Sequence, residues 1–336
     1  MWKAGLKWLF LILGVMIGAG YASGRELWQF FGHESGLAIL LFTILFTCSI
    51  LIVMKLSYQH QTTNYFTILE LILGKPVARF YDVLIFFYLL STTVIMIAGS
   101  GATFEAFQLS KWLGILFLVI LTVLLFVKGL SGVLQFNVFV MPLLMLGLLS
   151  LLVFFSLDQQ LSLPLSLDQQ SNWTAAFTFT ALNILSVIAV LGAIGDQIQS
   201  NGEIWIASVG SGLILGVTSF LYNNSLIQLS DIIVLYEIPL FAILKHYPPY
   251  TYIIMSILLW FAIFTTAISG VLALVTRLKS IFQPRMWVLA LLILVGLLPL
   301  TNFGFSTLIA FLYPLYGIVN LYLLCAVLLF PFYKKI

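Results

Sequence analysis

Apolar segments long enough to cross a bilayer follow one another along almost the whole chain, and this feature limits the possible folds more than any other. The stretch between Arg285 and Lys334, for example, contains no charged side chain. Across the 336 residues, 62% are hydrophobic and 7% are charged, whereas a soluble domain carries roughly 25% charged residues. A single globule cannot hide that much apolar surface from water. The sequence therefore predicts an integral membrane protein whose outer surface contacts the lipid bilayer.

The lengths of the apolar segments predict how many helices cross the membrane. Because an α-helix rises 1.5 Å per residue, one crossing needs about 20 apolar residues. On this basis we predict ten transmembrane helices, at 7–31, 37–57, 81–105, 112–127, 133–156, 173–194, 203–223, 250–275, 286–301 and 305–330. Two amphipathic pieces, 64–79 and 231–246, lie outside this count, and we expect the second to lie along the membrane surface. The tract 157–170 is predicted to be an exposed loop.

The positive charges predict the orientation of the chain. Of the 14 Lys and Arg residues, only Arg25, Lys111 and Lys245 fall on the side opposite the N-terminus, which leaves eleven on the same side. Positive loops stay in the cytoplasm, so both termini are predicted to be cytoplasmic in a multi-pass cell-membrane protein. The first apolar run faintly resembles a signal peptide, but the sequence continues as a helix beyond Gly24, and we interpret it as the first span.

The composition also excludes several classes of function. The net charge of +3 is spread over short loops, so nothing supports nucleic-acid binding. Cys48 and Cys325 each lie within an apolar segment and imply neither a disulfide nor a thiolate metal site. No cluster of Asp, Glu and His with metal or acid–base spacing occurs within the predicted spans, so we do not expect an enzyme. No cofactor is predicted apart from a coupling ion, and no particular protein partner is indicated.

The first predicted span contains an unusual density of glycine. Four of the eleven residues from Gly14 to Gly24 are glycine, and each lowers helix stability by about 1 kcal/mol relative to alanine. One interpretation is close packing between helices. The other is a discontinuous helix whose freed backbone groups face a cavity. The crowding near 18–20 and the charged pair Arg25-Glu26 favour the second, in which the half-helix at Tyr21–Gly24 would offer a positive end to a carboxylate.

The sixth predicted span carries two polar residues near its middle. Asn183 and Ser186 interrupt an otherwise apolar run, and a buried Asn is costly unless its amide is satisfied. A helix–helix hydrogen bond would satisfy it, and so would a substrate at a second helix break. Transporters built from two inverted five-helix repeats place a broken helix first in each half. We therefore expect a break here, although no glycine occurs between 174 and 191.

The eighth predicted span places small and hydroxyl side chains on one face. Ala262, Thr265, Thr266 and Ser269 are spaced i, i+3, i+4 and i+7, which is one helical face. Such hydroxyls commonly bond back to their own backbone. They could also bind a hard cation together with free carbonyls from an unwound neighbour. Thr266 and Ile17 both lie about 15 Å from the cytoplasmic ends of their helices.

With these residues in view, the chain resembles the YkvI family of amino-acid permeases over essentially its whole length. The most specific stretch is Ile17–Gly32, with Gly99–Glu105 and Leu312–Gly317 in support. That family belongs to the amino acid–polyamine–organocation superfamily, which shares the leucine-transporter fold. The resemblance implies that Gly18-Ala19-Gly20 cradles a substrate carboxylate with backbone N–H groups.

The resemblance also implies a cation site. Sodium-coupled members hold Na⁺ between carbonyls before the glycine motif, which match Gly14 and Ile17, and the eighth helix, which matches Ala262, Thr265 and Thr266. The sixth helix departs from the family because it lacks the usual glycine at its break. No lysine is available within the fifth helix to replace the cation, since Lys128 precedes it. This favours Na⁺ coupling over H⁺ coupling.

We therefore expect an all-α integral membrane protein with a 5+5 inverted repeat, divided into 7–156 and 173–330, and with broken first and sixth helices. The predicted function is secondary active transport of a small solute, an amino acid, by Na⁺ symport and alternating access. The alternatives are an H⁺-coupled or uncoupled permease and a non-transporting nutrient receptor on the same fold. The predicted substrate-binding residues are Gly18, Ala19, Gly20, Tyr21, Ala22, Ser23, Asn183, Ser186 and Ser269. The predicted Na⁺ ligands are Gly14, Ile17, Ala262, Thr265 and Thr266, and the predicted outer gate is Arg25, Glu26 and Glu105.

Overall fold

The chain is described by a computed structural model that covers residues 2–128, 133–159, 170–279 and 285–333, without the side chains of 128 and 133–141. Every regular element in these ranges is helical. The α-helices are α1 Trp2–Met16, α2 Ala19–Ala22, α3 Arg25–Phe30, α4 Gly36–Gln59, α5 Tyr65–Leu73, α6 Lys75–Glu105, α7 Lys111–Lys128, α8 Val133–Asp158, α9 Ala175–Leu191, α10 Asn201–Ile227, α11 Ser230–Ile233, α12 Leu240–Leu244, α13 Pro249–Lys279, α14 Met286–Leu297, α15 Phe305–Val319 and α16 Leu321–Tyr333.

The apolar helices confirm a polytopic membrane protein. Within the described ranges, six helical stretches are long and apolar enough to cross a bilayer. They are Gly36–Gln59, Lys75–Glu105, Asn201–Ile227, Pro249–Lys279, Met286–Phe303 and Phe305–Tyr333. Three shorter apolar helices, Lys111–Val127, Pro142–Asp158 and Ala175–Leu191, accompany them, and the first predicted span is divided among α1, α2 and α3. The exact number of ten crossings stays a prediction. So does the orientation, since Lys334 and Lys335 lie outside the described residues.

The side chains of α7 show how the bundle meets the lipid. Leu113, Ile120 and Leu124 are exposed on one side of this helix, whereas Leu118 and Thr122 are fully buried on the other. An exposed stripe of large apolar side chains on a long helix is expected where lipid, not water, covers the surface. The helix therefore lies at the outer edge of the bundle.

The sixth helix differs from its predicted shape. We expected a break near Asn183 and Ser186, but α9 runs without interruption from Ala175 to Leu191. The interruption comes later, at Gly192, and a short 3₁₀ turn follows at Gly195–Gln197. A polar side chain alone does not break a helix inside a protein, because it can bond to the carbonyl one turn earlier. Asn183 does this, since its Nδ2 donates to the Phe179 carbonyl at 2.9 Å.

The segment 231–246 also differs from its predicted place along the membrane surface. It folds into two short helices, α11 and α12, on either side of Pro239. Proline cannot continue a helix through this point, so the segment does not form one amphipathic rod. Its apolar residues Ile238, Leu240, Phe241, Ile243 and Leu244 are at most 2% exposed. The part from Ile238 to Leu244 is therefore packed into the protein, whereas Ile232, Val234 and Leu235 before it and Lys245 and His246 after it are exposed.

The helices pack in pairs that match between the two halves of the chain. The contact of α1 with α10 matches that of α4 with α9, and the contact of α6 with α15 matches that of α13 with α8. Likewise α6 packs on α7 as α13 packs on α14. Two five-helix repeats would give this pattern, and an odd number of crossings per repeat would invert the second. The pattern supports the predicted division into 7–156 and 173–330, which stays a proposal.

An ion pair joins three helices at one end of the bundle. Arg277, in the last turn of α13, pairs with Asp82 on α6 and donates to the hydroxyl of Tyr65 on α5 at 2.6 Å. That hydroxyl also lies 2.6 Å from Asp82 Oδ1. Burial is the main reason that the pKa of Tyr65 rises to about 12. The tyrosine is therefore neutral at physiological pH and donates its proton to Asp82.

Removing the charge of Asp82 should weaken this junction. We expect Asp82→Asn to lower the free energy of unfolding by about 1 kcal/mol. Partial exposure weakens the ion pair, but the Asp82 carboxylate also accepts hydrogen bonds from Arg277 and Tyr65, and these would be weakened as well. Thermal unfolding of the purified protein measures the change. Glu70→Gln, at an exposed carboxylate on α5, is the matched control. An Asp82→Asn protein as stable as the Glu70→Gln protein would contradict the prediction.

Candidate functional site

The first helix is interrupted twice, which confirms the predicted discontinuity. α1 ends at Met16, Gly18 adopts an extended conformation (φ −77°, ψ −178°), and the next helical turn begins at Ala19. A second interruption follows at Ser23-Gly24, where Gly24 has φ +78°. Only glycine adopts this left-handed conformation without strain. The half-helix therefore starts at Ala19, earlier than the predicted Tyr21.

The first interruption leaves backbone groups without helical partners. Among the described residues, the N–H groups of Gly18–Tyr21 donate to no backbone carbonyl, and the carbonyls of Gly14–Ile17 accept from no backbone N–H. Unpaired backbone groups at this depth in a membrane protein are tolerated where they line a cavity. The two sets point to a site on either side of the break.

A cavity of about 60 Å³ lies beside this break. It is enclosed by residues from the broken first helix, α6, α9, α13 and α15. These residues are Val15, Met16, Gly18, Ala19, Gly20, Glu26, Tyr88, Thr92, Met96, Leu182, Asn183, Ser186, Thr266 and Tyr313. The cavity thus brings together Gly18, Ala19, Gly20, Asn183 and Ser186 of the predicted substrate site. We call it the central cavity.

Four predicted substrate residues lie outside the central cavity. The Tyr21 hydroxyl points to α10, where it is 2.9 Å from Ser219 Oγ. The Ala22 carbonyl accepts from Tyr222 at 3.0 Å. Ser23 Oγ bridges the second interruption by donating to the Gly20 carbonyl at 2.8 Å. Ser269 is exposed on α13. The geometry gives these four residues structural contacts, and a substrate role for them is not favoured.

Tyrosines of α6 and α15 complete the cavity wall, and the sequence analysis missed them. Tyr88 is 2.8 Å from Ser186 Oγ, so these two hydroxyls link α6 to α9. Tyr88 and Thr92 are spaced i, i+4 with Met96 one turn further, which places all three on one face of α6. That spacing is visible in the sequence and could have identified them. Tyr313 shares no such spacing, although it lies within Leu312–Gly317, one of the stretches that support the family resemblance.

The predicted cation ligands on α13 are bonded to their own helix. Thr265 Oγ1 donates to the Phe261 carbonyl at 3.0 Å, and Thr266 Oγ1 donates to the Ala262 carbonyl at 2.8 Å. Both hydroxyls keep lone pairs that could bind a cation, and α13 packs against α2 next to the break. The Ala262 carbonyl accepts both hydroxyls, which leaves it less available. The donor set is oxygen-only, as a hard monovalent cation requires.

Glu26 is buried in the wall of the central cavity, and its predicted role in an outer gate stays a prediction. Its side chain is 5% exposed and lines the cavity together with Asn183. Its Oε2 is 2.7 Å from the point where a Cβ on Gly20 would lie. The left-handed Gly24 turns α3 away from the axis of α2, and this reorientation brings the carboxylate back against the break. Glu26 therefore belongs to the site itself.

The other two predicted gate residues are apart from Glu26. Glu105 ends α6 and is exposed, and in the described part of the chain Arg25 forms no ion pair within 4 Å. Arg25 is close enough to Glu237 for an electrostatic interaction. Glu237 in turn accepts from the Ser306 N–H at the start of α15 at 2.6 Å. A gating role for Arg25 stays a prediction, and Glu237 is the carboxylate with which Arg25 would pair.

The segment that carries Glu237 covers the broken helix on this side. The Leu240 N–H donates to the Ser23 carbonyl at 2.9 Å, directly at the second interruption. This bond uses a carbonyl that the helix leaves free. The segment therefore packs directly against the second interruption of the first helix.

Together the bundle, the broken first helix and the central cavity define a class of protein, the helical membrane permeases. Residues 6–163 match the spore permease family, which is described as spore germination protein. The protein YyaD of Bacillus subtilis strain 168 is 49% identical over 335 residues, covering 100% of this chain and 99% of YyaD. The membrane protein YkvI of the same organism is 26% identical over 326 residues, covering 95% and 94%. The chain belongs to the same family as YyaD, and its similarity to YkvI confirms the predicted resemblance.

Solved structures are also similar, by their fold alone. One of them is Mhp1, a transporter of the nucleobase-cation-symport-1 family, in a closed conformation with bromovinylhydantoin bound. The TM-score is 0.48 and the sequences are 16% identical, with 91% of this chain and 73% of Mhp1 covered.

Proposed function

We propose that this permease is a secondary active transporter that carries a small amino acid through the central cavity by alternating access. The observation that supports this function is the cavity at the broken first helix, walled by residues from both halves of the chain. Transporters of this architecture bind substrate at such a midplane break. Uptake of radiolabelled amino acids into vesicles containing the purified protein tests the proposal. A receptor that does not transport would bind ligand in this assay without accumulating it inside.

The amino-acid assignment rests on the groups that face the cavity. The unpaired N–H groups beginning at Gly18 can donate to a carboxylate, and such donors are strongest where water is excluded. Asn183, Ser186 and Thr92 add neutral hydrogen-bonding groups. These groups suit a small polar solute better than an apolar one.

Na⁺ is the proposed coupling ion. The Gly14 and Ile17 carbonyls are left free by the break, and Thr265 and Thr266 offer hydroxyl oxygens on the neighbouring helix. Neutral oxygen ligands suit a monovalent cation that must also leave during each cycle. The resemblance to sodium-coupled permeases supports the same five residues, with Ala262 as the fifth.

Removing both hydroxyls should abolish Na⁺ dependence. We expect Thr265→Ala combined with Thr266→Ala to reduce Na⁺-driven uptake to background and to remove stabilisation by Na⁺ in thermal unfolding. The fold should survive, because both hydroxyls bond only within α13. Thr266→Ser keeps the hydroxyl and should keep most of the uptake. Uptake that follows a proton gradient, ignores Na⁺ and persists in the double variant would refute the Na⁺ assignment.

Proton coupling is the second candidate, and Glu26 is the observation that favours it. A buried carboxylate in the central cavity can exchange a proton between the two sides during transport. Imposing a Na⁺ gradient and a proton gradient separately on the same vesicles distinguishes the two couplings.

A further inference from the structure

Glu26 is the charged group of the central cavity. Of the residues that line this cavity, it alone carries a formal charge, because the others are apolar, hydroxyl or amide side chains. Its carboxylate lies against Gly20, beside the unpaired N–H groups of the break. A carboxylate at this point influences which ligands can bind in the cavity.

The carboxylate has no cation to balance it among the described residues. The single ion pair found there joins Arg277 to Asp82 on other parts of α13 and α6. Arg25, next to Glu26 in sequence, interacts with Glu237 instead. An isolated carboxylate in a dry interior costs several kcal/mol unless a counter-charge accompanies it. A binding site that contains a carboxylate but no positively charged side chain is suited to a ligand that carries a positive charge.

We propose, as a consequence of the transport function above, that Glu26 binds the protonated amine of the substrate and thereby selects for amine-bearing solutes. The cavity supports this assignment in two ways. Its volume of about 60 Å³ corresponds to roughly two water molecules at about 30 Å³ each, which is room for an ammonium group and the carbon that carries it. The rings of Tyr88 and Tyr313 also line the cavity, and aromatic faces attract cations.

The ammonium and carboxylate groups of the ligand would then bind to different parts of the site at the break. Glu26 accepts hydrogen bonds from the ammonium group, and the N–H groups from Gly18 onward remain for the carboxylate. A 2-hydroxy acid keeps the carboxylate and the carbon skeleton but lacks the positive charge. Comparing an amino acid with its 2-hydroxy analogue therefore isolates the contact with Glu26.

Ligand-induced stabilisation of the purified protein tests this contact without requiring transport. The probes are the twenty proteinogenic L-amino acids and, for each one that raises the unfolding temperature, the matching 2-hydroxy acid. We expect at least one amino acid to stabilise the wild-type protein and its 2-hydroxy analogue to bind about thirty-fold more weakly or worse. Glu26→Gln keeps the shape of the side chain but removes its charge, and it should weaken binding of the amino acid by a similar factor. Glu26→Asp should lose less.

The comparison separates this proposal from the function on which it rests. Glu70→Gln, at an exposed carboxylate, is the control for general effects of charge removal, and unfolding without ligand reports whether each variant is folded. The amino and hydroxy pair in the wild-type protein decides the question even if Glu26→Gln fails to fold. Binding of an amino acid without uptake would refute transport and leave this contact supported. Equal binding of both acids, an unchanged affinity in Glu26→Gln, or no binding by any amino acid would overturn the proposal. Glu26→Gln that binds normally but no longer accumulates substrate would make Glu26 a proton carrier instead.

Discussion

Replacing Gly20 with alanine should reduce uptake at least about tenfold while the protein still folds. The added methyl carbon would lie 2.7 Å from Glu26 Oε2, closer than such a carbon approaches another atom in folded proteins, and 3.1 Å from Tyr313 Cε2, which is also a tight contact. Both obstructing groups are the ends of side chains, so they can move aside without unfolding the bundle. Glu26 lines the central cavity, so we expect the displaced carboxylate to move into it in place of substrate. Uptake and ligand-induced stabilisation, measured on the same preparation, report the loss.

Two further variants show whether the collision with Glu26 causes the effect. Gly296→Ala adds the same methyl group on α14, where nothing lies within 4 Å, and it should leave uptake unchanged. Adding Glu26→Asp to Gly20→Ala shortens the obstructing side chain and should recover part of the activity. A double-variant comparison of this kind isolates the interaction between the two positions. Wild-type uptake by Gly20→Ala would show that the break does not form the substrate site.

The role of Gly20 and Glu26 also shows how far the sequence alone could predict the site. The glycine density identified the broken helix correctly, because the cost of glycine in a helix is local. The location of Glu26 was missed because the span was extended as one helix beyond Gly24. On a continuous helix, six residues turn the chain by about 600°, which places Gly20 and Glu26 on different faces. The left-handed conformation of Gly24 alters this relation, and no periodicity in the sequence reveals it.

The sixth helix illustrates the opposite error. Asn183 and Ser186 drew attention because a polar residue in an apolar span needs a partner, and both line the central cavity. The expected break at these residues was wrong, because Asn183 satisfies its amide within the helix and next to Glu26. The glycines that end the helix, Gly192 and Gly195, lie further along the chain. The polar residues of this helix therefore indicate the position of the cavity, whereas its glycines indicate where the helix ends.

The segment 231–246 was misplaced for a similar reason. Its charged residues, Asp231, Glu237 and Lys245, suggested one polar face along a surface helix. Pro239 divides the segment, so the charges belong to separate short elements. The contacts that draw the apolar part inward, such as the bond from Leu240 to Ser23, join residues more than 200 positions apart. Contacts at that separation cannot be inferred from local pattern.

Gly195→Ala should destabilise the protein more than any other substitution considered above. The added methyl carbon would lie 2.6 Å from the carbonyl carbon of Ser57 and 2.7 Å from the amide nitrogen of Thr62. These are backbone atoms at the end of α4, so they cannot swing aside as the end of a side chain can. The Asp196 N–H also donates to the Thr62 carbonyl at 3.3 Å, and separating the two segments would break this bond. We expect a loss of about 3 kcal/mol or more in the free energy of unfolding.

The yield of monodisperse protein in detergent and its thermal unfolding measure this loss. Gly296→Ala is again the matched control, because alanine in an open position of a helix is expected to be neutral or to stabilise by up to about 1 kcal/mol. The size of the difference between the two variants distinguishes the contact from a general effect of replacing glycine. A Gly195→Ala protein as stable as Gly296→Ala would mean that the turn after α9 does not rest on the end of α4. The packing that sets the position of Asn183 and Ser186 beside the cavity would then need a different origin.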